Sequence, residues 1–222
     1  MSDVIAVRQA RVEDAENIAQ IQVRTWQTAY RGILHDHFLD HLGENMASRT
    51  ERRRARVTQR DPNVTFVAES DTEGILGFAT GGPDRVESAL AEIYAIYVTP
   101  IFHRRGVGRK LVHVLAQQFW ARGTQSMRVW VLTENRSRRF YERLGGQVQS
   151  VRMVTIGGKA VEETAYVTAC CAFPRLAPKL VIEWDRRRRA RACAGSQGHC
   201  CVETEESSKA CATAADGERQ AA

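Results

Sequence analysis

The sequence predicts a mixed α/β fold in which helices flank one β-sheet. Residues 13–30 place apolar side chains at helical spacing, whereas residues 93–98 are apolar on both faces, as in a central buried strand. Gly157-Gly158 separates two further strand-like segments in the pattern of a β-hairpin. Because helical and strand-like segments alternate along the chain, we expect one sheet with helices packed on its faces.

The N-terminal part is predicted to hold one short strand followed by three helices. Arg31-Gly32 ends the first helix, and Asp61-Pro62 breaks the arginine-rich third one. The strand is predicted at residues 4–8 and the helices at residues 13–30, 37–42 and 46–59.

The remainder of the domain is richer in strands. Pro100 ends the longest strand, Asn135 is a candidate N-cap, and Gly145-Gly146 ends the last helix. Strands are predicted at residues 64–69, 75–80, 89–99, 127–132, 147–156 and 161–168, with helices at 106–122 and 135–144.

The character of the chain changes after Phe173. Pro174 and Pro178 interrupt it, a run of arginines occupies residues 186–191, and no periodicity follows. We therefore predict one domain at residues 1–173 and a largely disordered tail at residues 174–222.

Charge and hydropathy argue against a nucleic-acid-binding protein and against a membrane-spanning one. The net charge of +6, from 32 Lys and Arg against 26 Asp and Glu, is too small to argue for nucleic acid as the ligand. No apolar run approaches the roughly 18–20 residues of a membrane span, and the first residues lack a signal-peptide layout. A cytoplasmic protein without a membrane partner is the expectation.

The cysteines are confined to the C-terminal end. None precedes Cys170, so the fold does not depend on disulfides. Cys193, Cys200, Cys201 and Cys211 lack the paired spacing of a structural zinc site, and we expect no metal.

A glycine loop at residues 103–111, HRRGVGRKL, lies between a predicted strand and a predicted helix. Gly106 and Gly108 allow close backbone approach, and the helix N-terminus presents free N–H groups, which is an arrangement that suits phosphate. Leu111 stands where a dinucleotide fingerprint has its third glycine, and no P-loop motif is present. The sequence leaves open a plain strand-to-helix turn with solvated arginines.

The loop resembles the pyrophosphate loop Q/R-x-x-G-x-G/A of the GNAT superfamily of N-acetyltransferases. Its first position falls on His103, which is a departure from the family pattern. Residues 91–98, AEIYAIYV, look like the fourth GNAT strand, residues 130–135, WVLTEN, like the fifth, and residues 140–146, FYERLGG, match the terminal FYExLG signature. The resemblance covers about residues 4 to 169.

The resemblance implies a mostly antiparallel sheet that splays apart between strands four and five, where the pantetheine arm of acetyl-CoA fills the gap. Backbone groups of Ile96, Tyr97 and Val98 would pair with this arm as a missing strand would. The pyrophosphate would be held by Arg104, Arg105, Gly106, Val107, Gly108 and Arg109.

Two residues match the catalytic positions of the family. An alkyl ammonium has a pKa near 10.4, so amide formation needs a base or a desolvating site, and Glu92 matches the catalytic glutamate of histone-type members. Tyr141 matches the tyrosine that protonates the leaving thiolate. The alternatives are an ion pair or a polar strand end for Glu92, and helix packing for Tyr141.

Three further residues are candidates. Asn135 matches the family asparagine that contacts the cofactor arm, although it stands six residues before Tyr141 where seven is common, and a helix cap is the alternative. Trp26 and Tyr30 lie four apart on one helical face and could form a wall of the acceptor pocket or pack in the core.

The leading hypothesis is an acetyl-CoA-dependent N-acetyltransferase that moves an acetyl group to a primary amine of a small molecule or peptide. Attack would be direct, within a ternary complex. An acyl-CoA-binding regulatory domain without catalysis is the alternative, and a nucleic-acid-binding protein that uses its arginine-rich tail is a third. Oligomeric state is open, with a homodimer paired through the 161–168 strand as one option.

Overall fold

The computed structural model describes residues 4–59 and 62–173. It contains a seven-stranded sheet in the order β1-β2-β3-β4-β5-β7-β6, with helices on both faces. The predicted tail at residues 174–222, including its four cysteines and its arginine run, lies outside the described residues.

The first elements agree with the sequence prediction to within about two residues, apart from short 3-10 turns before the first helix and after the second. They are β1 (Ala6–Gln9), α1 (Ala15–Ala29), α2 (Asp36–Asp40) and α3 (Met46–Thr58). The later elements are β2 (Val64–Ser70), β3 (Gly74–Pro83), β4 (Ala91–Val98), α4 (Val107–Ala121), β5 (Ser126–Leu132), α5 (Arg138–Arg143), β6 (Gln147–Ile156) and β7 (Lys159–Ala169).

The predicted 135–144 helix is the element that differs most. Helix α5 begins only at Arg138, because Asn135 folds the chain into a turn first. The Asn135 Oδ1 accepts the Ser137 backbone N–H at 2.9 Å, and its own N–H donates to the Leu132 carbonyl at 2.8 Å. An Asn side chain bonded two residues ahead forms a turn of its own in place of a helix cap.

Strands β4 and β5 form the one parallel pair of the described sheet, and they stay paired only briefly. Their register covers Ala91 with Met127 through Ile93 with Val129, although β4 continues to Val98 and β5 to Leu132. The strands therefore diverge beyond this point. This confirms the predicted splay between the fourth and fifth strands.

A β-bulge in β4 accompanies the divergence. Ala95 lies opposite Thr80 of β3, but Ile93 lies opposite Gly81, so Tyr94 is an extra residue on the β4 side. Bulges bend the strand that carries them and change the direction of the following side chains. The bulge thus separates the part of β4 that pairs with β5 from the part that does not.

The core lies on both faces of the sheet. On one face, Leu111, Leu115 and Phe119 of α4 are fully buried in a cluster with Ile93 and Met127. On the other face, Ile18 of α1 and Val57 of α3 belong to a cluster with Val67 and Phe78. Helix α4 and the pair α1 and α3 therefore hold the sheet between them.

The turn between β6 and β7 packs against the α1–α2 region. The Lys159 Nζ donates to the Ile33 carbonyl at 2.6 Å. A Cβ built on Gly157, whose φ is +56°, would lie 2.3 Å from the Phe38 ring. This close packing requires glycine at residue 157 and joins the hairpin to α2.

The position of β7 corrects one expectation. Strand β7 lies between β5 and β6, so both of its edges are already hydrogen-bonded. A homodimer paired through the 161–168 strand is therefore wrong for this sheet, and the outer strand at this end is β6. Within the described part of the chain, no helix has the length and apolarity needed to cross a membrane.

Substituting alanine at Gly81 tests the close packing of β3 and β4. The added Cβ would lie 2.7 Å from the Glu92 carbonyl oxygen and 2.7 Å from the Phe119 ring. We expect Gly81→Ala to lower the free energy of unfolding by about 1–3 kcal/mol through overpacking, measured by urea denaturation. Gly43→Ala is the matched control, since nothing lies within 4 Å of its Cβ. Equal stability of the two variants would contradict this account of the packing.

Candidate active site

The splay between β4 and β5 opens a crevice in the centre of the sheet. At the point where the pairing of the two strands ends, a small cavity is lined by Ile93 of β4, Val129 of β5, Tyr141 of α5 and Tyr166 of β7. The glycine loop before α4 lies at the end of β4, and α5 follows β5. The divergence therefore brings together the segments that the sequence singled out.

The glycine loop has the backbone shape of an anion site. Gly106 is the N-cap of α4 with a left-handed φ of +82°, and Arg104 has a φ of +62°. A positive φ is uncommon in a non-glycine residue and clusters at functional sites. No side chain of the described residues caps α4. The backbone N–H groups of Val107, Gly108 and Arg109 precede the first helical hydrogen bond, from Lys110 to Gly106, and consequently lack intrahelical acceptors.

Three arginines surround this helix end. Arg104, Arg105 and Arg109 are all exposed, and the Arg105 guanidinium lies 5.5 Å from the Phe102 ring centroid. Exposed guanidinium groups beside free N–H groups and a helix dipole favour a phosphate-bearing ligand. The predicted role of the loop residues as cofactor ligands stays a prediction.

Gly108 is needed for a packing reason as well. A Cβ at this position would lie 3.3 Å from the Phe140 ring and 3.9 Å from a Val98 methyl. The first turn of α4 therefore fits closely between β4 and α5. Because the loop, strand and helix meet here, the FYER segment and the glycine loop form one structural unit.

His103 stands where the family pattern has Gln or Arg, and its side chain contacts the backbone of β4. Its Nε2 donates to the Val98 carbonyl at 2.8 Å, across the turn that follows β4. Of the three β4 residues predicted to bind the cofactor arm, Val98 thus has its carbonyl already engaged. Ile96 and Tyr97 lie on the part of β4 beyond the pairing with β5, as the prediction requires.

Glu92 is buried beside an arginine. The residue is 1% exposed, and its carboxylate accepts hydrogen bonds from the Arg85 Nε at 2.9 Å and from the Arg85 Nη2. The Arg85 side chain is itself 61% exposed. The ion-pair alternative for Glu92 is therefore present, but its cation can move into solvent.

A second ion pair fixes the loop that carries Arg85. Both oxygens of Asp84 accept from the Arg128 Nη1 at 2.9 Å, and Asp84 also accepts the backbone N–H groups of Val86 and Glu87 at 2.8 Å. Arg128 of β5 is 5% exposed. Because Arg128 lies opposite Glu92 in the parallel register, this pair ties the β3–β4 loop to the two strands that splay. The sequence analysis did not identify Asp84 or Arg128 as part of the site.

Tyr141 packs among aromatic rings. Its ring lies 5.1 Å from that of Phe140 and 6.3 Å from that of Tyr166. Burial of the hydroxyl raises the pKa of Tyr141, with a further contribution from Tyr97. The group is therefore protonated over the whole physiological range, as a proton donor must be before it reacts.

Asn135 lies immediately after β5 and is 9% exposed. Its Oδ1 is engaged by the Ser137 N–H, so the side chain shapes the entry to α5. Asn135 is not a helix cap, because α5 begins only at Arg138. Its hydrogen bond to Ser137 forms without any contact to a cofactor. The cofactor role of Asn135 stays a prediction.

Trp26 and Tyr30 stand together as predicted, with their rings edge to face at 5.0 Å. Burial raises the pKa of Tyr97, and the Trp26 and Tyr30 side chains oppose this rise. The Trp26 Nε1 is buried without an acceptor at hydrogen-bonding geometry among the described residues. The three side chains thus form an aromatic group above the diverging strands, and the Tyr97 side chain is a member that the sequence analysis missed.

Glu163 of β7 is a further acidic group near this aromatic cluster. Its Oε2 accepts from Arg152 at 2.9 Å, and its charge contributes to the raised pKa values of Tyr30 and Tyr97. Arg152 lies flat over Trp130, with the guanidinium 3.8 Å from the ring centroid. Arg152 and Glu163 face each other across the β6–β7 hairpin, whereas Tyr30 and Tyr97 come from segments distant in sequence, so no local motif revealed this group.

Within residues 4–59 and 62–173, no group of three or more His, Cys, Asp or Glu side chains is arranged to hold a metal ion. The four cysteines that were considered for a zinc site lie outside the described residues.

Comparison with known proteins agrees with this geometry. The profile of the Acetyltransferase (GNAT) family matches residues 21–146. The chain is 33% identical over 141 residues to YuaI of Bacillus subtilis, an uncharacterized N-acetyltransferase, with 63% of this chain and 78% of YuaI covered.

Two solved structures share the fold. PaiA N-acetyltransferase of Thermoplasma acidophilum, in complex with coenzyme A, superposes with a TM-score of 0.58 at 20% identity, covering 73% of this chain and 98% of PaiA. The acetyltransferase yncA of Salmonella typhimurium, with acetyl-CoA, has a TM-score of 0.57 at 21% identity, covering 79% of this chain and 98% of yncA. The family profile and the YuaI relative together establish that this chain belongs to the GNAT family of acetyltransferases.

Proposed function

We propose that the protein transfers the acetyl group of acetyl-CoA to a primary amine of a small molecule or peptide. The observation that carries the proposal is the parting of β4 and β5 directly beside the uncapped N-terminus of α4. A thioester with a phosphate-bearing handle fits such a site, because its arm can pair with a free strand edge while its pyrophosphate occupies the helix end.

The cofactor would be held by two sets of groups. The pyrophosphate would bind the N–H groups of the first α4 turn with help from Arg104, Arg105 and Arg109, which are exposed and free to reorient. The arm would pair with backbone groups of Ile96 and Tyr97, where β4 has no strand on its β5 side. Asn135, in the turn three residues after β5, would contact the arm from the β5 side.

Glu92 would receive the proton of the amine, directly or through a water. It is the acidic residue of β4, and it precedes the bulge at Tyr94. Arg85 must leave at least one carboxylate oxygen for this task. The Arg85 side chain is 61% exposed and so has solvent to move into, but the Glu92 carboxylate is buried, and the bound ammonium would have to replace the lost positive charge beside it.

Tyr141 would give its proton to the departing thiolate. A thiolate with a parent pKa near 8.5 benefits from a donor in a site that water does not reach. Cys170 is a poor candidate for an acyl-enzyme nucleophile, since burial raises the pKa of its thiol to about 12. A thiol that remains protonated is a poor nucleophile.

The alternative, an acyl-CoA-binding regulatory domain without catalysis, has one observation in its favour. The Arg85 contacts to Glu92 engage both oxygens of the candidate base. The two functions separate in one experiment, because both predict acetyl-CoA binding but only the first predicts release of CoA when an amine is added.

Gly106→Asp tests the pyrophosphate site. A Cβ added to Gly106 would have no heavy atom within 4 Å, and both Asp and Asn tolerate a left-handed φ. A carboxylate here would repel the anionic ligand, so we expect the Kd for acetyl-CoA to rise at least about tenfold by isothermal titration. Gly106→Asn is the uncharged control and should bind far better than Gly106→Asp. Equal binding by the two variants would show that phosphate does not occupy this helix end.

Glu92→Gln tests the base. With an acceptor found by screening an amine panel for CoA release, we expect kcat to fall about 100-fold while acetyl-CoA still binds. Arg85→Gln is the control for the ion pair, and it should retain much more activity than Glu92→Gln. If the two variants lose activity equally, Glu92 serves the ion pair and not the chemistry.

Tyr141→Phe tests the acid. The phenylalanine keeps the ring contacts with Phe140 and Tyr166 and removes only the hydroxyl. We expect kcat to fall about 100-fold with little change in the Kd for acetyl-CoA. Tyr166→Phe is the matched control, since its hydroxyl contacts Glu142 at 3.1 Å. Full activity of Tyr141→Phe would remove this residue from the mechanism.

A further inference from the structure

The guanidinium of Arg85 lies between solvent and a buried carboxylate. The Glu92 side chain is buried, whereas that of Arg85 is exposed. The Arg85 Nε donates to the Glu92 Oε2 at 2.9 Å, and the Arg85 Nη2 donates to Oε1. One side of this cation therefore meets water while the other meets the carboxylate. The guanidinium occupies space through which a ligand from solution could reach Glu92.

The loop that carries Arg85 does not depend on this guanidinium for its shape. Asp84 is held by the buried Arg128 at 2.9 Å, and its own N–H donates to the Leu90 carbonyl at 3.0 Å. The Arg85 backbone N–H donates to the Glu92 Oε2 at 3.3 Å. The side chain can therefore swing into solvent while the loop, and one oxygen of the carboxylate, keep their other partners.

Departure of the guanidinium would free the second oxygen and remove the positive charge beside it. Within the described part of the chain, the Glu92 Oε1 accepts from the Arg85 Nη2 alone. A buried carboxylate without a cation or a donor is costly, so this ion pair opens readily only when another cation takes its place. The replacement must also donate a hydrogen bond to Oε1, because the guanidinium supplies both the charge and the donor.

An aromatic ring forms a second wall of this cation site. The Arg85 guanidinium carbon lies 5.2 Å from the Tyr94 ring centroid, and the Tyr94 hydroxyl donates to the Pro83 carbonyl at 2.5 Å, which fixes the ring. The face of an aromatic ring attracts an ammonium as it attracts a guanidinium. Tyr94 is also the bulged residue of β4, so the site lies where β4 parts from β5.

A primary alkylammonium meets these requirements. It carries one positive charge and three N–H donors on a compact head. With a pKa of about 10.4, it is also the predominant form of an alkylamine at neutral pH. A carboxylate or phosphate head would be repelled by Glu92, and a quaternary ammonium has no N–H to offer Oε1. The site thus selects for charge and for hydrogen-bond donors together.

We propose that the Arg85 guanidinium occupies the binding site of the acceptor's ammonium group, and that the acceptor enters as a cation that displaces it from Glu92. This inference rests on the proposed acetyl transfer and adds the charge state in which the acceptor binds. One cation replaces another, so the buried carboxylate is never left without a positive charge. Proton transfer to Glu92 follows binding, and the ammonium and thioester become the amide, the thiol and one released proton.

Ligand-observed NMR on the full chain tests the site, with ethylammonium chloride as the probe at constant ionic strength. We expect Arg85→Ala to bind ethylammonium with a Kd at least about tenfold below that of wild type, because the variant has no guanidinium to displace. Adding Glu92→Gln to Arg85→Ala should abolish this gain. Tetramethylammonium, which has the charge without the N–H donors, should show no gain in Arg85→Ala.

Arg54→Ala is the matched control. Arg54 pairs with Glu51 at 2.6 Å, but that carboxylate is 66% exposed, so it stays hydrated when the guanidinium is removed. This variant should bind ethylammonium as wild type does. With acetyl-CoA and the best amine of the panel, Arg85→Ala should lower the KM for the amine about tenfold and leave the KM for acetyl-CoA within about twofold of wild type.

A second measurement uses the wild-type chain alone. With isotope-labelled arginine, the NMR signal of the Arg85 Nε–H should shift on addition of ethylammonium, as its hydrogen bond to Glu92 breaks. An Arg85 signal that ethylammonium leaves unmoved would overturn the inference, even if Arg85→Ala failed to fold. Equal affinity of wild type and Arg85→Ala for ethylammonium would do the same. Displacement of Arg85 in a protein that acetylates no amine would contradict the proposed function and leave the cation site standing.

Discussion

The short pairing between β4 and β5 is the constraint on which the rest of the molecule depends. Only the segments at Ala91–Ile93 and Met127–Val129 hold the two halves of the sheet together by backbone hydrogen bonds. Within this paired segment, Arg128 adds a side-chain link from β5 to Asp84 of the β3–β4 loop. An open strand edge would normally be a liability in a sheet, so its persistence here is consistent with a ligand that completes it.

Arginine has three different physical roles around this gap. Arg128 is buried and paired, and it fixes a loop. Arg85 is exposed, and it contacts both oxygens of the buried Glu92 carboxylate. Arg53 of α3 is buried and forms no ion pair among the described residues, and its guanidinium donates to the Gln22 side chain at 2.6 Å. The difference between these arginines lies in burial and partner, and composition alone would not distinguish them.

Sequence predicted the parts of the site that depend on local chemistry. Gly106 and Gly108 were identified because a left-handed cap and a close approach require glycine, and the apolar run ending in Val98 marked a buried strand. Helix α5 was predicted too long because the side chain of Asn135 competes with the helix for a backbone N–H. The Tyr97 and Glu163 side chains were missed, since strand register and helix packing bring them near Tyr30 from segments distant in sequence.

The contact between the β6–β7 turn and α2 has a consequence for how such a protein can evolve. Phe38, which packs on Gly157, also lies 6.4 Å from the Trp26 ring, so the hairpin tip forms an outer support for the aromatic group. Hairpin tips tolerate changes of length and composition better than strands do. At this tip that tolerance is limited, because a side chain at residue 157 would displace Phe38 and, through it, the Trp26 ring.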